Sequence, residues 1–472
     1  MTNASTGLLL AAALLWAGPA RAASHARPNV VILDICSASA DHIGFNGYSK
    51  PTTPALDTLA KQAAVFDRAL SQSSWCLPNY ASLFTGHTPE VHGQYINLPL
   101  RSLPDFETTL AEKLRDAGYR TGGFTGGVYF FPAWCLSRGF DHFTNHFSTS
   151  TALPAAFSKL TPEMLSWIAS DHTRPFFIYA TVDDLHVPYQ SLSPERFDPG
   201  YDGVVHSSGV LNVRFFRAYN GEPLSPDDPM TARLKEFRSD PRALEHMSAH
   251  YDAALAQADA SIARFIERLR ALGVWDDTVL IVTGDHGELL GEHNLLGHTE
   301  SLYEPVLRVP LLIRDPRLPQ SAGRRYKELV ERIDITPTVF EEAGAPYAGL
   351  ELQGRSLLPV LRGEAPSWRK YAFASSKRNM AAPSDLTLDE RVVTDGRWKL
   401  HAYLYKDRYE LYDLAADPGE RRDLSVEHPE VLARLSFELL KNMELSRPHA
   451  PGLPSGRELL RSPELTPGPH EH

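Results

Sequence analysis

Cysteine is scarce: the 472 residues hold three, Cys36, Cys76 and Cys135. An odd count this low excludes a disulfide framework for a chain of this size, although one pair could still close in an exported protein. Basic residues are in deficit, 47 Lys and Arg against 58 Asp and Glu for a formal net charge of −11. That balance argues against nucleic acid or an anionic membrane as the main partner. No block of like charge stands out, so the acidity is spread over solvated faces. No apolar run reaches the ~18 uninterrupted residues of a membrane span, and no internal repeat is visible.

What is present is enough apolar residue, 43%, to bury a large core, in two or three domains or in one large α/β domain with an appendage. The N-terminus has an apolar run from Gly7 to Ala17 followed by Ala20-Arg21-Ala22, an A-x-A-like cleavage site. Residues 1–22 are therefore expected to be a signal peptide, and the mature protein to be exported, periplasmic or secreted, without a membrane span. A positively charged segment before the apolar run is missing.

Asn29-Val30-Val31-Ile32-Leu33-Asp34-Ile35 is a short β-branched run that reads as a strand buried on both faces. Further strands are expected at Arg120–Phe124, Pro175–Val182, Thr278–Thr283 and Pro310–Ile313. Helices are expected from Thr53-Pro54, from near Pro78 toward Phe84, over Asp105–Ala117, over Ala243–Leu272, and from Thr336-Pro337. Strands alternating with helices imply a large, mostly parallel sheet sandwiched by helices, an α/β fold spanning 27–365. The Pro/Gly/Asp-rich segment Pro194–Asp240 reads as a long surface excursion. From about Trp368 the pattern changes to short strands at Tyr371–Ser375, Arg391–Thr394, Trp398–Tyr403 and Tyr409–Leu414, with a helix over His428–Leu440. This is a smaller C-terminal antiparallel sheet plus helix, 366–445, ahead of a loose Pro/Gly/His-rich tail, 446–472.

In a parallel sheet, ligands sit beyond the carboxyl ends of the strands. Asp34-Ile35-Cys36, Asp183-Asp184-Leu185-His186 and Gly284-Asp285-His286-Gly287 each follow an apolar strand, so all three are expected on one rim. Cys76 lies in Trp75-Cys76-Leu77-Pro78, just ahead of a helix start. From the residues alone it is a nucleophile, a metal ligand, half of a disulfide or a small buried side chain. Cys135 reads as a small hydrophobe.

The chain resembles the sulfatase branch of the alkaline phosphatase superfamily. The resemblance rests on Arg27-Pro28-Asn29-Val30-Val31, Ala40-Asp41-His42-Ile43-Gly44, Trp75-Cys76-Leu77-Pro78 with Ala81-Ser82-Leu83-Phe84-Thr85-Gly86, His186-Val187-Pro188-Tyr189, the Asp285-His286-Gly287 block through His298, Leu352-Gln353-Gly354-Arg355, and Tyr409-Glu410-Leu411-Tyr412. It implies a divalent cation, Ca²⁺ or Mg²⁺, held by Asp285, His286 and one residue of the first strand, Asp34 or Cys36. It also implies that Cys76 takes the nucleophile position, with formylglycine as its matured state, and that His186 and His298 bind the anion or serve the leaving group. The implied partner is a small-molecule or glycan sulfate ester.

Three departures accompany the resemblance. Tyr80 stands where the family's Cys-x-Pro-x-Arg signal has Arg, Gly126-Gly127-Val128 replaces a Gly-Lys-Trp run, and gap-free matching puts Cys36 where the first metal Asp belongs and Ser39 in place of an Arg. Three readings follow: a sulfate ester hydrolase, a phosphodiester or phosphonate ester hydrolase, and a non-catalytic anion-binding member in which Cys36 and Cys76 pair as a disulfide.

Overall fold

The computed structural model describes residues 26–446, apart from 98–101, 132–133, 149–152, 172, 190–192, 207–209, 299–300, 365–367 and 380–385. The expected signal peptide, almost all of the tail and the expected boundary at 365/366 lie outside the described residues.

Asn29–Ile35 is the middle of a nine-stranded sheet, and all seven of its residues are buried. An unbroken apolar run suits this position because helices cover both faces, leaving no solvent side to call for alternation. Phe176–Val182 and Thr278–Gly284 flank it in parallel, with Ile35 opposite both Val182 and Gly284. The three strands therefore end at one level and deliver their next residues to one rim. Arg120–Thr125 and His142–Asn145 continue the parallel side. On the other side Leu311–Arg314 runs antiparallel to Thr278–Gly284, followed by Ala64–Leu70, which Arg325–Glu331 joins in parallel. The sheet is mostly parallel, as expected. Ala64–Leu70 and Arg325–Glu331 escaped the sequence pattern because polar residues interrupt both: AVFDRAL carries Asp67 and Arg68, and RYKELVE has charge at alternate and adjacent positions.

Helix boundaries follow local chemistry. The helix expected over Asp105–Ala117 begins only at Leu110 and ends at Asp116. Thr109 Oγ1 accepts the Glu112 N–H at 3.1 Å while Glu112 Oε2 accepts the Thr109 N–H at 2.8 Å, a capping box that fixes the start. The helix expected near Pro78 begins at Cys76 and runs to Thr85, so Pro78 sits in the first turn, where no intrahelical donor is required. Gly86, at φ 71, closes it in the left-handed conformation.

The segment 194–240 is not a surface excursion. It forms helices Val213–Tyr219 and Pro229–Ser239, whose N-caps Asn212 and Asp228 accept backbone N–H groups. Phe215, Phe216 and Phe237 are buried in the main core beside the 29-residue helix Ala243–Ala271. Among the described residues, no helix is long and apolar enough to cross a membrane.

The second sheet pairs Ala372–Asn379, Leu386–Thr394, Trp398–Tyr403 and Arg408–Asp413 in antiparallel succession. Helix Pro429–Leu445 packs Leu435 and Leu439 against its Val393, Leu400 and Leu411. This unit touches the segment leading to Cys76: the Ser375 N–H donates to the Gln72 carbonyl at 2.8 Å and Ser74 Oγ lies 3.1 Å from Ser376 Oγ.

Below the Cys76 helix, His92 is fully buried. Its Nε2 lies 2.9 Å from Ser82 Oγ, and its Nδ1 accepts the Gln94 N–H at 3.1 Å. Burial pushes its pKa down to about 3 from 6.5. A depressed histidine contributes stability above its unfolded value that is lost as pH falls toward the folded one. Between pH 6.5 and 4.5 this group should remove roughly 2–3 kcal/mol. Urea unfolding at a series of pH values should show that loss, with a flatter curve for His92→Gln; equal slopes in both proteins would refute it.

Candidate active site

The rim forms where the chain turns after each of the three strands. Beyond Ile35, Ser37 adopts φ 60 and its N–H donates to Asp285 Oδ1 at 2.9 Å. Tyr251, from the long helix, donates its hydroxyl to the Ser37 carbonyl and accepts the Ser39 N–H. Gly287 must be glycine, since a Cβ there would lie 2.0 Å from the Pro305 carbonyl oxygen. That close approach seats His286 and Glu288 on either side of the turn.

Cys76 opens its helix with the thiol facing inward, 1% exposed. Its Sγ is 3.1 Å from His286 Nε2 and 3.9 Å from Cys36 Sγ. His286 Nδ1 donates to the Gly287 carbonyl at 2.8 Å, so Nε2 is the nitrogen left for the sulfur. His186 and His298 stand close enough to Cys76 for the sulfur to favour their charged forms. His186 Nδ1 is held by the Val187 carbonyl, and His298 Nδ1 by Glu288 Oε2 at 2.9 Å. The ring centres of His286 and His298 are 4.2 Å apart, and those of His186 and His298 6.2 Å.

Burial alone would raise the Cys76 thiol, but the hydrogen bond from Cys36 and the charge and hydrogen bonds of His286 and His186 hold it well below the ordinary thiol value. Cys36 moves the opposite way, pushed up by its hydrogen bond to Cys76, by burial and by Asp285. Within the pair, the proton is favoured on Cys36 over Cys76. Burial opposes charge on His298 too, yet Glu288 and Cys76 carry it well above its usual range. A low-pKa thiol beside imidazoles is the environment that activates sulfur as a nucleophile.

All the residues expected from sequence reach this rim, with one separation. Cys36, Cys76, Asp285 and His286 bring one donor atom each within 4.8 Å of one another. Asp34 is not in that group. Its Oδ2 accepts the Tyr179 hydroxyl at 2.8 Å and pairs with the guanidinium of Arg332. The expectation of Asp34 as a metal ligand is corrected on this point: it lies one pleat repeat behind Cys36 and neutralises a buried cation. Cys36 and Cys76 are free thiols. Cys135 is partly buried against the core, as a small hydrophobe would be.

Sequence reasoning gave no role to Glu288, Asp183 or Arg332. The first two had a signal, since they lie in the strand-end runs. The Asp183 carboxylate takes the Gly126 N–H at 3.2 Å and the Thr181 hydroxyl. Arg332 had no local signal, because its partner is 298 positions away. Tyr80, in place of the family's arginine, is buried and packs on Phe130.

A large, mostly parallel sheet with helices and a separate antiparallel sheet is the alkaline phosphatase-like α/β fold. The chain belongs to the sulfatase family: the family model described as Sulfatase matches residues 28–345, and that described as N-sulphoglucosamine sulphohydrolase, C-terminal, matches 291–446. It is 26% identical over 456 residues to N-sulphoglucosamine sulphohydrolase of Homo sapiens, covering 85% of this chain and 87% of that protein. Among solved structures, it superposes on an enzyme in complex with its substrate D-glucosamine-2-N,6-O-disulfate with a TM-score of 0.70 at 19% identity, covering 89% and 98% of the two chains. Phosphonate monoester hydrolase of Agrobacterium radiobacter gives 0.65 at 21% identity, covering 88% and 95%. These two likenesses show the shared fold. The family's enzymes are sulfuric ester hydrolases and generally use a divalent metal.

The residues here do not fit the hard cation expected of that family. Ca²⁺ takes about six to eight oxygen ligands, and Mg²⁺ a near-octahedral oxygen shell. Among the described residues, the cluster whose donors converge offers two sulfurs, one imidazole nitrogen and one carboxylate oxygen.

The pair behind the rim is open to a direct test. Asp34→Ala should strand the buried Arg332 charge and cost about 3–5 kcal/mol, read as a fall in the urea midpoint. Arg332→Met added to it should recover part of the loss. An unchanged midpoint for Asp34→Ala would refute the pairing.

Proposed function

We propose that this chain hydrolyses sulfate esters, with residue 76 as the nucleophile and His186 and His298 as the groups that bind the sulfate and serve the leaving oxygen. The observation that supports it best is the Cys76 sulfur, at the first position of a ten-residue helix, 3.1 Å from His286 Nε2 and with the His298 and His186 rings next in line. The helix N-terminus and the imidazoles favour an anion there. In this reading the Cys76 thiolate attacks the ester sulfur, the S–O bond to the alcohol breaks, and His186 or His298 gives the departing oxygen a proton. Water then cleaves the sulfur–sulfur bond, releasing sulfate and returning the thiolate. Formylglycine is the other state of residue 76 in which the same cradle would act, as the family resemblance implies.

The relatives' sulfated amino-sugar substrates support a glycan sulfate ester as the substrate class here. Among the described residues, the hydrogen-bond partners of Cys76 include no Arg or Lys, which tilts the choice toward a singly charged group over a dianionic phosphate monoester. Export through the 1–22 signal peptide completes the reading; the first residue of the mature protein, expected after Ala22, tests it.

Aryl sulfate, aryl phosphate monoester and aryl phosphodiester should be assayed side by side. Sulfate turnover is expected to dominate, Cys76→Ala to abolish it, and His186→Ala and His298→Ala each to lower kcat by about 10²-fold or more. Dominant phosphate monoesterase activity, insensitive to both histidine substitutions, would overturn the assignment. The mass of the peptide containing residue 76, from protein made in the native host, separates thiol from aldehyde.

A further inference from the structure

With residue 76 a thiol, we infer that Cys36, Cys76, Asp285 and His286 form a four-ligand site for a thiophilic divalent cation of the zinc class. The inference rests on that thiol and not on the ester-hydrolysis reading.

The donor set is the first reason. Two cysteine sulfurs, one imidazole and one carboxylate suit zinc or a chemically similar ion, whereas hard cations need oxygen. The spacing is the second. Zinc–sulfur and zinc–nitrogen bonds of about 2.3 and 2.0–2.1 Å give tetrahedral edges of about 3.8 Å between sulfurs, 3.6 Å from sulfur to nitrogen and 3.4 Å from nitrogen to oxygen. The observed distances are 3.9 Å between Cys36 and Cys76, 3.1 Å from Cys76 to His286 Nε2, and 3.4 Å from His286 Nε2 to Asp285 Oδ2.

The third reason is what lies behind the ligands. His286 donates its other ring N–H to the Gly287 carbonyl, the arrangement that orients a metal-bound imidazole. Asp285 Oδ1 accepts the N–H groups of Ser37 and His286 at 2.9 and 2.8 Å, while Oδ2 is buried with no hydrogen-bond partner. A fully buried carboxylate oxygen facing a ring nitrogen and two sulfurs, with no donor of its own, is a coordination position. All four side chains are at most 1% exposed, and three of them stand at the rigid ends of adjacent strands.

Four protein ligands close a tetrahedral site and leave no position for water. Zinc here would occupy the Cys76 lone pair that attacks an ester, so the zinc-bound chain is a silent form and chelation restores the thiolate.

The full-length chain, reduced and freed of metal by a chelator, tests this. Zn²⁺ is expected to bind one per chain by elemental analysis and to raise the melting temperature, with Ca²⁺ and Mg²⁺ having little effect at equal concentration. Co²⁺ should give sulfur-to-cobalt charge-transfer absorption and the strong visible bands of a tetrahedral site. Zinc should also protect Cys36 and Cys76, but not Cys135, from alkylation, a readout that needs no substitution. Cys36→Ser should weaken zinc by more than the roughly 10–100-fold of an outer-shell change, and Cys36→Asp should shift the preference toward Ca²⁺ or Mg²⁺; circular dichroism confirms that each variant folds. Weak octahedral cobalt bands without a sulfur band, protection by Ca²⁺ equal to that by Zn²⁺, or an aldehyde at residue 76 in native-host protein would each overturn the site. Zinc binding with these signatures in a chain that turns over no ester would uphold the site and remove the hydrolase reading. Ester turnover indifferent to zinc, with no sulfur band, would do the reverse.

Discussion

The strand Asn29–Ile35 lies between two parallel neighbours whose last residues, Val182 and Gly284, face Ile35 in register. Hydrogen-bond pairing along a parallel ladder leaves no freedom in how far each strand protrudes. The residues that follow, Cys36, Asp183 and Asp285, therefore emerge at one level. The cluster of Cys36, Cys76, Asp285 and His286 depends on that common level, since Cys36 and Asp285 follow neighbouring strands. The turn after Ile35 shows the dependence: the Ser37 N–H that fixes Asp285 can reach it only because the two strands stop together.

Around this rim the charge balance is unusual. Asp34, Asp183, Asp285 and Glu288 are buried there, and Arg332 is the guanidinium among them. Burial raises Asp34 and Asp183 to about 7 each, the Asp34 rise being opposed by Arg332 and reinforced by Asp285. A site so rich in carboxylates favours positive charge, which the imidazoles supply through their partners: Glu288 for His298, Asp285 for His286. Cys76 thus lies among imidazoles that have carboxylate or carbonyl groups behind them.

The C-terminal sheet is joined to this centre by polar contacts. Lys399 is fully buried and ion-paired with Glu304 and Glu420, and Glu420 also accepts the Glu304 N–H. Glu304 begins the short helix just before the Arg308–Val309 strand, and Pro305 in that helix supplies the carbonyl that meets Gly287. The buried lysine thus ties the second sheet to the segment that packs under the catalytic turn. Ser376 and Gln72 add a second tie beside Cys76.

The sequence by itself determined the α/β class, the three strand ends that meet, the antiparallel C-terminal sheet and the position of Cys76 at a helix start. These are local properties: apolar run length, turn residues and Pro at helix starts such as Thr53-Pro54. The tertiary structure alone decided between Asp34 and Cys36. Both occupy one face of one strand, and spacing by two cannot say which of them the neighbouring strand's Asp285 meets. Arg332 settles it, arriving from 298 residues away to hold Asp34, a pairing no local pattern encodes. The same limit hid Ala64–Leu70 and the helices of 194–240, whose apolar residues find their partners across the core and not along the chain. The mismatch with a hard cation was already signalled by Cys36 at the place of the first metal Asp; the structure adds that two sulfurs, a ring nitrogen and a carboxylate stand within 4.8 Å.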